Sequence, residues 1–234
     1  MDRTLKAISL ILSYPTRDLQ AAMPEIGGVL ASETRLTTAV RRALRPLVEE
    51  LSGRDIYDLE EQYVMLFDRS RTLSLNLFEH VHGESRDRGG AMVSLVETYR
   101  DGGFEPATSE LPDHLPVLLE FLATRPFGEV QDTLADAAHI FEALASRLAR
   151  RDSLYGAVFA ALLQLSGAQA NSEAVATLLD QPDVDPNDLE ALDEVWEESE
   201  VLFGPDPNAG CPQVRDMLSR MDEPVTPARP VAAE

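Results

Sequence analysis

The residues best suited to chemistry lie together in the stretch 78–86, which reads Phe-Glu-His-Val-His-Gly-Glu-Ser-Arg. His80, His82 and Glu84 stand at alternate positions, and the chain holds only four histidines in 234 residues. Imidazole nitrogens and carboxylate oxygens are ligands of zinc and related metals. Residues two apart share a face on a β-strand, whereas on a helix they point about 200° apart. This spacing therefore favours a metal site only if the segment is a strand.

A helix is the better interpretation of this segment. The apolar residues that lead into it repeat at helical spacing: Leu73, Leu77, Phe78 and Val81. They predict a helix that ends near Gly83. Metal-binding helices place their ligands three or four residues apart, and the two histidines do not have that spacing. A metal-dependent hydrolase that uses His80, His82 and Glu84 therefore remains only as an alternative hypothesis.

Other catalytic motifs are absent from the sequence. It contains no Gly-x-Ser-x-Gly nucleophile motif and no glycine-rich phosphate loop. The single cysteine, Cys211, excludes an internal disulfide and lies near the chain end, where we expect no base beside it. Nothing in the sequence therefore demands catalysis or a permanently bound cofactor.

A second candidate site is the stretch 110–123, Glu-Leu-Pro-Asp-His followed by an apolar run. Asp113 is placed to cap a helix that starts at His114, and Pro116 is tolerated in the first helical turn. We expect His114 to be exposed at that helix start. The positive end of the helix dipole should make its imidazole harder to protonate.

The elements that position these residues are helices. Apolar side chains recur at spacings of three and four in five segments: 36–51, 59–67, 115–122, 134–148 and 154–165. No stretch alternates in the way that a strand requires, so we predict an all-α fold with about nine to eleven helices around one core. We expect a kink or break before Pro46 and a further break at Gly89-Gly90.

The C-terminal part differs in composition from the rest. Leu189, Leu192 and Trp196 predict an acidic amphipathic helix, since nine acids and no base lie between Asp183 and Glu200. From residue 204 onward proline, glycine and small residues dominate. We therefore predict an all-helical domain over 1–203 and a flexible tail over 204–234.

Charge narrows the choice of partners. The net charge is −21, which opposes binding to nucleic acid or to anionic lipid and favours a basic partner such as a cationic peptide. No apolar run is long enough to cross a membrane, and the N-terminal stretch is interpreted as a first helix and not as a signal peptide. We therefore expect a cytoplasmic protein with no stable membrane association.

Two stretches in this order, 57–104 and 110–123, resemble the NarJ family of nitrate reductase assembly chaperones. Two short elements are shared with the more distant TorD and DmsD chaperones: Tyr63-Val-Met-Leu-Phe67 and Pro112-Asp113-His114. The resemblance covers nearly the whole chain, from the Leu-Ser-Tyr-Pro ending of the first helix to the C-terminal tail. It includes the long and unusual run Leu-Phe-Glu-His-Val-His-Gly-Glu-Ser-Arg-Asp-Arg-Gly.

The resemblance implies an all-helical cytoplasmic chaperone without catalytic activity. Its client would be the catalytic (alpha) subunit of a respiratory nitrate reductase, bound through its N-terminal segment while the molybdenum cofactor is inserted. Transient contact with that cofactor and with proteins of its biosynthesis is also implied. The resemblance assigns leader binding to Asp113 and His114 only. A helical scaffold subunit that stays in the mature complex is a further alternative.

A client N-terminus that forms a basic amphipathic helix would need a groove with an apolar floor and acidic edges. We expect that groove between the helix 57–67, the segment 78–88 and the start of the helix after 113. Its predicted residues are Glu60, Tyr63, Phe67, Phe78, His80, His82, Glu84, Arg86, Asp113 and His114. We further expect one of the two clustered histidines to face the groove and the other to be bonded within the fold.

Overall fold

The computed structural model describes residues 1–82 and 86–183, apart from the side chains of His82 and Arg86. These residues form eleven α-helices: α1 (Arg3–Ile11), α2 (Arg17–Ser32), α3 (Thr38–Gly53), α4 (Ile56–Tyr63), α5 (Leu77–His82), α6 (Arg86–Asp101), α7 (Leu115–Leu122), α8 (Phe127–Asp136), α9 (Ala138–Arg150), α10 (Gly156–Ser166) and α11 (Ser172–Leu179). The predicted all-α fold is confirmed.

The core is built around α7. The helix consists almost entirely of apolar residues, and every residue in it except Glu120 is buried. α1 packs against α7, α2 against α3, and α10 against α3, α8 and α9, while α11 packs against α9. The apolar stripes predicted from the sequence supply the contacts, since Leu44, Leu47 and Leu51 of α3 are all buried.

Side-chain caps fix several helix starts. Asp2 accepts hydrogen bonds from the N–H groups of Thr4 and Leu5 at the start of α1. Asn171 does the same for the first turn of α11. Each such cap satisfies backbone donors that have no partner within the helix, and contributes about 1 kcal/mol.

Of the kink or break expected before Pro46, the break does not occur, because α3 runs continuously from Thr38 to Gly53. A proline inside a helix costs about 3 kcal/mol through the lost hydrogen bond and a steric clash. Burial of one leucine side chain recovers about 1.5–3 kcal/mol. The three buried leucines of α3 therefore outweigh the proline.

The expected break at Gly89-Gly90 is likewise wrong, since both glycines lie inside α6. Each glycine costs about 1 kcal/mol relative to alanine. The helix is held at both ends instead: Arg88 donates to Glu79 of α5 at 3.1 Å, and Tyr99 is buried in the core. Tertiary contacts at the two ends override the weak local propensity.

The connection between α4 and α5 shapes the candidate site. α4 continues into a π-helical turn (Val64–Asp68), followed by a 3-10 turn (Arg71–Leu73). Residues 74–76 then lie outside any helix, and Asn76 forms an isolated antiparallel bridge with His114. This bridge joins the start of α5 to the start of α7.

No helix in residues 1–82 or 86–183 is long and apolar enough to cross a membrane. The predicted acidic helix around Trp196, the boundary at 203/204, the tail and Cys211 all lie outside the described residues.

Candidate functional site

Asp113 joins two helix starts. It is fully buried, at 0% exposure, and its Oδ2 accepts a hydrogen bond from the N–H of Phe78 in the first turn of α5 at 2.9 Å. Its backbone carbonyl accepts from the N–H of Leu77 at 3.2 Å. Asp113 therefore supplies the cap of α5, a helix 35 residues earlier in the chain.

The predicted role of Asp113 as the cap of its own helix is wrong. α7 begins at Leu115 after His114, and no side chain caps it. The N–H of Leu115 donates to the carbonyl of Leu75 at 2.8 Å, and Pro116 has no N–H. The N–H of Val117 donates to the carbonyl of His114 at 2.9 Å. Since the first donors of α7 are satisfied or absent, the carboxylate of Asp113 is available to α5.

Burial raises the pKa of the Asp113 carboxyl, because the charged form loses its hydration. The N–H of Phe78 and the positive charge of Arg88 act in the opposite direction, but burial prevails. The second carboxyl oxygen, Oδ1, has no hydrogen-bond partner among the described residues. Asp113 is thus held inside the fold as a connector between α5 and α7.

His114 lies one residue further and reaches a pocket. Its ring is half-buried, not exposed as the sequence predicts, and its Nδ1 is buried without a hydrogen-bond partner in the described part of the chain. Burial lowers the pKa of His114, and the charge of Glu110 opposes this shift. The predicted direction holds, but burial is the first cause of the shift.

The pocket that His114 lines has a volume of about 430 Å³. We call it the acidic pocket. Its walls come from α1, α4, the π-helical turn, the loop before α7 and α7 itself: Lys6, Ser9, Leu10, Ser13, Tyr14, Tyr63, Asp68, Thr108, Glu110, His114, Pro116, Val117 and Glu120. These residues are brought together from three distant parts of the sequence, so the pocket is a product of the tertiary fold.

Two tyrosines form one side of the acidic pocket. Tyr63 is buried, and its hydroxyl donates to the carbonyl of Leu12 at 2.9 Å, which ties α4 to the end of α1. Tyr14 packs edge-on against Tyr63 with 5.5 Å between ring centroids, yet 46% of Tyr14 is exposed. The pair presents an aromatic surface at the pocket, part of which is accessible.

The charged groups of the acidic pocket are unbalanced. Lys6 forms an ion pair with Glu120 at one edge. Asp68 and Glu110 form no ion pair within the described residues. Burial and the neighbouring charge of Glu110 raise the pKa of Asp68. Two carboxylates that repel each other in this way favour a cation between them.

His80 belongs to the interior side of the same region. Its Nε2 donates a hydrogen bond to the carbonyl of Ser74 at 2.8 Å, and because a carbonyl only accepts, Nε2 carries the proton. Burial lowers the pKa of His80, because the charged ring would lose its hydration. His80 therefore helps to fix the turn that precedes α5.

Three other predicted site residues, Glu60, Phe67 and Phe78, lie among the described residues. Glu60 lies close enough to Tyr14 for its charge to act on that phenol. Phe67 is 4% exposed and packs between Tyr63 and Tyr155, so it supports the pocket from behind and does not line it. Phe78 is half-buried on α5 beside Asp113.

Three predicted sites lie outside the described part of the chain: Glu84 and the side chains of His82 and Arg86. No group of three or more His, Cys, Asp or Glu in the described residues is arranged to hold a metal ion.

Sequence reasoning missed Tyr14, Asp68 and Glu110. Tyr14 stands just before Pro15 at the end of the first helix, and an exposed aromatic at such a turn is a usable signal. The two carboxylates gave no local signal, because they are 42 residues apart and meet only in the fold.

Comparison with known proteins shows the family of the chain. A family model described as nitrate reductase delta subunit matches residues 33–161. The nitrate reductase molybdenum cofactor assembly chaperone NarJ of Escherichia coli K12 is 41% identical over 206 residues, covering 88% of this chain and 87% of that protein. The chain belongs to the nitrate reductase delta subunit family. It is therefore a chaperone and not an enzyme, which removes the hydrolase alternative.

A more distant relative and a solved structure extend the comparison. The NarJ chaperone assigned in Bacillus subtilis is 31% identical over 160 residues, covering 68% of this chain and 86% of that protein. A solved structure from Archaeoglobus fulgidus, assigned to the redox enzyme maturation proteins, superposes with a TM-score of 0.51 at 25% identity. It covers 70% of this chain and 92% of the other, which supports the fold of the delta subunit family.

Proposed function

We propose that this chain binds the N-terminal segment of the catalytic subunit of respiratory nitrate reductase in the acidic pocket. By holding that segment it keeps the subunit ready for insertion of the molybdenum cofactor before the enzyme docks at the membrane. The observation that carries the proposal is the joining of His114, an open tyrosine face and two unpaired carboxylates in one pocket of about 430 Å³. Pockets of about 300–1,000 Å³ are typical of ligand sites.

The chemistry of the pocket fits a basic amphipathic peptide. The apolar side of such a helix would lie on Tyr14, Leu10 and Val117, which together offer an aromatic and aliphatic surface. An arginine or lysine from its polar side would enter between Asp68 and Glu110. Apolar burial then supplies most of the affinity, and the carboxylates select the cation and the orientation.

Asp113 and His114 take different roles in this proposal. His114 faces the pocket and contacts the peptide. Asp113 is fully buried and acts through α5, since its carboxylate fixes the start of that helix and its backbone neighbours the bridge between Asn76 and His114. Loss of Asp113 would therefore weaken client binding by moving His114.

The net charge of −21 would speed encounter with a basic segment by long-range attraction. Such steering is screened within about 8–10 Å at physiological salt. The same proposal includes a cytoplasmic location. It also includes transient contact with the molybdenum cofactor and with the proteins that synthesise it, because the client receives that cofactor.

Calorimetry with a synthetic peptide of the client N-terminus tests the proposal. The double variant Asp68→Asn, Glu110→Gln should weaken binding about tenfold or more, because it removes both carboxylates that face the cation. The matched control is Glu105→Gln, an exposed acid in the same loop that does not line the pocket. Equal affinities of wild type and double variant would exclude the acidic pocket as the site.

A further inference from the structure

Arg147 of α9 is an unusual interior residue, because its guanidinium is 1% exposed and no described carboxylate accepts a hydrogen bond from it. It donates instead to three backbone carbonyls. These belong to Thr72, at 2.9 Å, to Leu178 in the last turn of α11, and to Gln181 just after that helix. The last carbonyls of a helix carry partial negative charge, so the end of α11 suits a buried cation.

Asp183 provides a second connection between the same elements. Its Oδ1 accepts from the hydroxyl of Thr72 at 2.6 Å and from Nη2 of Arg151 at 2.7 Å. The hydroxyl of Ser70 is a further 3.0 Å from that of Thr72. Arg147 and Asp183 therefore fasten the segment after α11 to the 3-10 turn through both the backbone and the side chain of Thr72.

The 3-10 turn continues directly into the residues that hold the candidate site. The carbonyl of Ser74 accepts from His80, and the carbonyl of Leu75 accepts from the N–H of Leu115 at 2.8 Å. Asn76 then pairs with His114. The end of α11 is thus bonded to Thr72, and residues 74–76, which follow Thr72 closely in the chain, are bonded to α5 and to the start of α7.

We propose that Arg147 and Asp183 are positioning residues for the acidic pocket, and that the end of α11 is energetically coupled to client binding. The inference rests on the proposed function for its client. When the end of α11 is fastened, residues 74–76 stay in register with α7 and His114 keeps its place in the pocket. When it is released, the 3-10 turn loses the partners of Thr72 and the bridge loosens.

The coupling is reciprocal, because it is a free energy shared by two sites. Client peptide bound in the acidic pocket should therefore make opening of the α11 end less favourable. The factor should equal the one by which release of that end lowers the affinity for the peptide. Neither Arg147 nor Asp183 lines the acidic pocket, so a direct contact with the peptide does not account for such an effect.

The test compares Asp183→Ala with Asp180→Ala, an exposed acid three residues earlier on the same segment. Both variants remove one negative charge, but only Asp183 bonds to Thr72 and Arg151. Asp183→Ala should weaken the client peptide about fivefold or more in calorimetry, as typical couplings do, and Asp180→Ala should not. Equal affinities of the two variants would overturn the coupling.

Amide hydrogen exchange supplies a readout that needs no client. The N–H of Leu115 should exchange faster in Asp183→Ala than in wild type, since its acceptor is the carbonyl of Leu75. Arg147→Lys, which keeps the charge but not the three-way donor geometry, should have the same effect. Unchanged exchange of Leu115 in both variants would refute the positioning role.

The two measurements separate this inference from the proposed function. If wild type fails to bind the peptide, the proposed function is wrong, while the exchange of Leu115 still decides whether Arg147 and Asp183 position the start of α7. If wild type binds and Leu115 exchange does not respond to either variant, the coupling alone is wrong.

Discussion

Replacing Asp113 with alanine should lower the free energy of unfolding by about 1.5–3 kcal/mol. The carboxylate accepts from the N–H of Phe78 in a fully buried position, and a hydrogen bond to a charged acceptor contributes about 1.5–3 kcal/mol. The loss of a helix cap, about 0.5–2 kcal/mol, describes the same contact and is not added to it. Asp113→Ala therefore tests the capping of α5 from across the fold.

Asp113→Asn should cost less than about 1 kcal/mol. The asparagine side chain has nearly the same volume and keeps an oxygen that accepts from the N–H of Phe78. Because burial raises the pKa of Asp113, the charge itself is held at a cost that the neutral amide does not have. Comparing the two substitutions therefore separates the effect of the hydrogen-bond acceptor from the effect of the negative charge on the free energy of unfolding.

Urea titration measures both free energies of unfolding, and thermal unfolding should show shifts of about 2–4 °C per kcal/mol for a chain of this size. Asp101→Ala, at the exposed end of α6, is the matched control and should stay within about 0.5 kcal/mol of wild type. If Asp113→Asn lowers the free energy of unfolding as much as Asp113→Ala does, the hydrogen-bond acceptor does not account for the stability that Asp113 provides.

Two further predictions concern residues behind the pocket. Burial lowers the pKa of His80 in the folded state, so this residue contributes stability that is present above about pH 6.5 and is lost as pH falls through the folded pKa. Urea titrations across this range should give a flatter pH profile for His80→Gln than for wild type, and equal slopes would contradict the interpretation. Phe67→Ala should lower the free energy of unfolding by about 3–5 kcal/mol, because Phe67 packs between Tyr63 and Tyr155. A thermal midpoint unchanged from wild type would show that this packing is not tight.

The fold was predictable because helical periodicity is a local property. The stripes of α3, α7, α9 and α10 are visible in the sequence, and their apolar residues are the ones that the structure buries. The breaks expected at Pro46 and Gly89-Gly90 do not occur, for one physical reason. Local propensity is worth about 1–3 kcal/mol per residue, and tertiary packing at other positions of the same helix exceeds it.

The candidate site was predictable only in part. Tyr63 and His114 belong to the short elements shared with the chaperone family, and both line the acidic pocket. The capping of α5 by Asp113 could not be derived, because it depends on a contact between residues 35 apart. Whether an aspartate caps its own helix depends on which N–H groups other elements have already satisfied, and sequence spacing does not contain that information.

The electrostatics of the site also depend on contacts that sequence spacing does not contain, as Asp68 and Glu110 show. Each is an ordinary surface acid in the sequence, and only the fold brings their charges together beside Tyr14. The burial of Arg147 was harder still to predict from the sequence, since arginine is mostly a surface residue. Its burial follows from the carbonyls that α11 and the 3-10 turn direct at it.

Site-specific photo-crosslinking tests the central claim most directly, namely that the client N-terminus occupies the acidic pocket. A photoreactive phenylalanine analogue is placed at Tyr14, which lines the pocket, or at Tyr57, a more accessible tyrosine of α4 that is 69% exposed and does not line it. The client N-terminal peptide should crosslink from position 14 and not from position 57. Crosslinking from position 57 alone, or from neither position under conditions where calorimetry detects binding, would contradict the account.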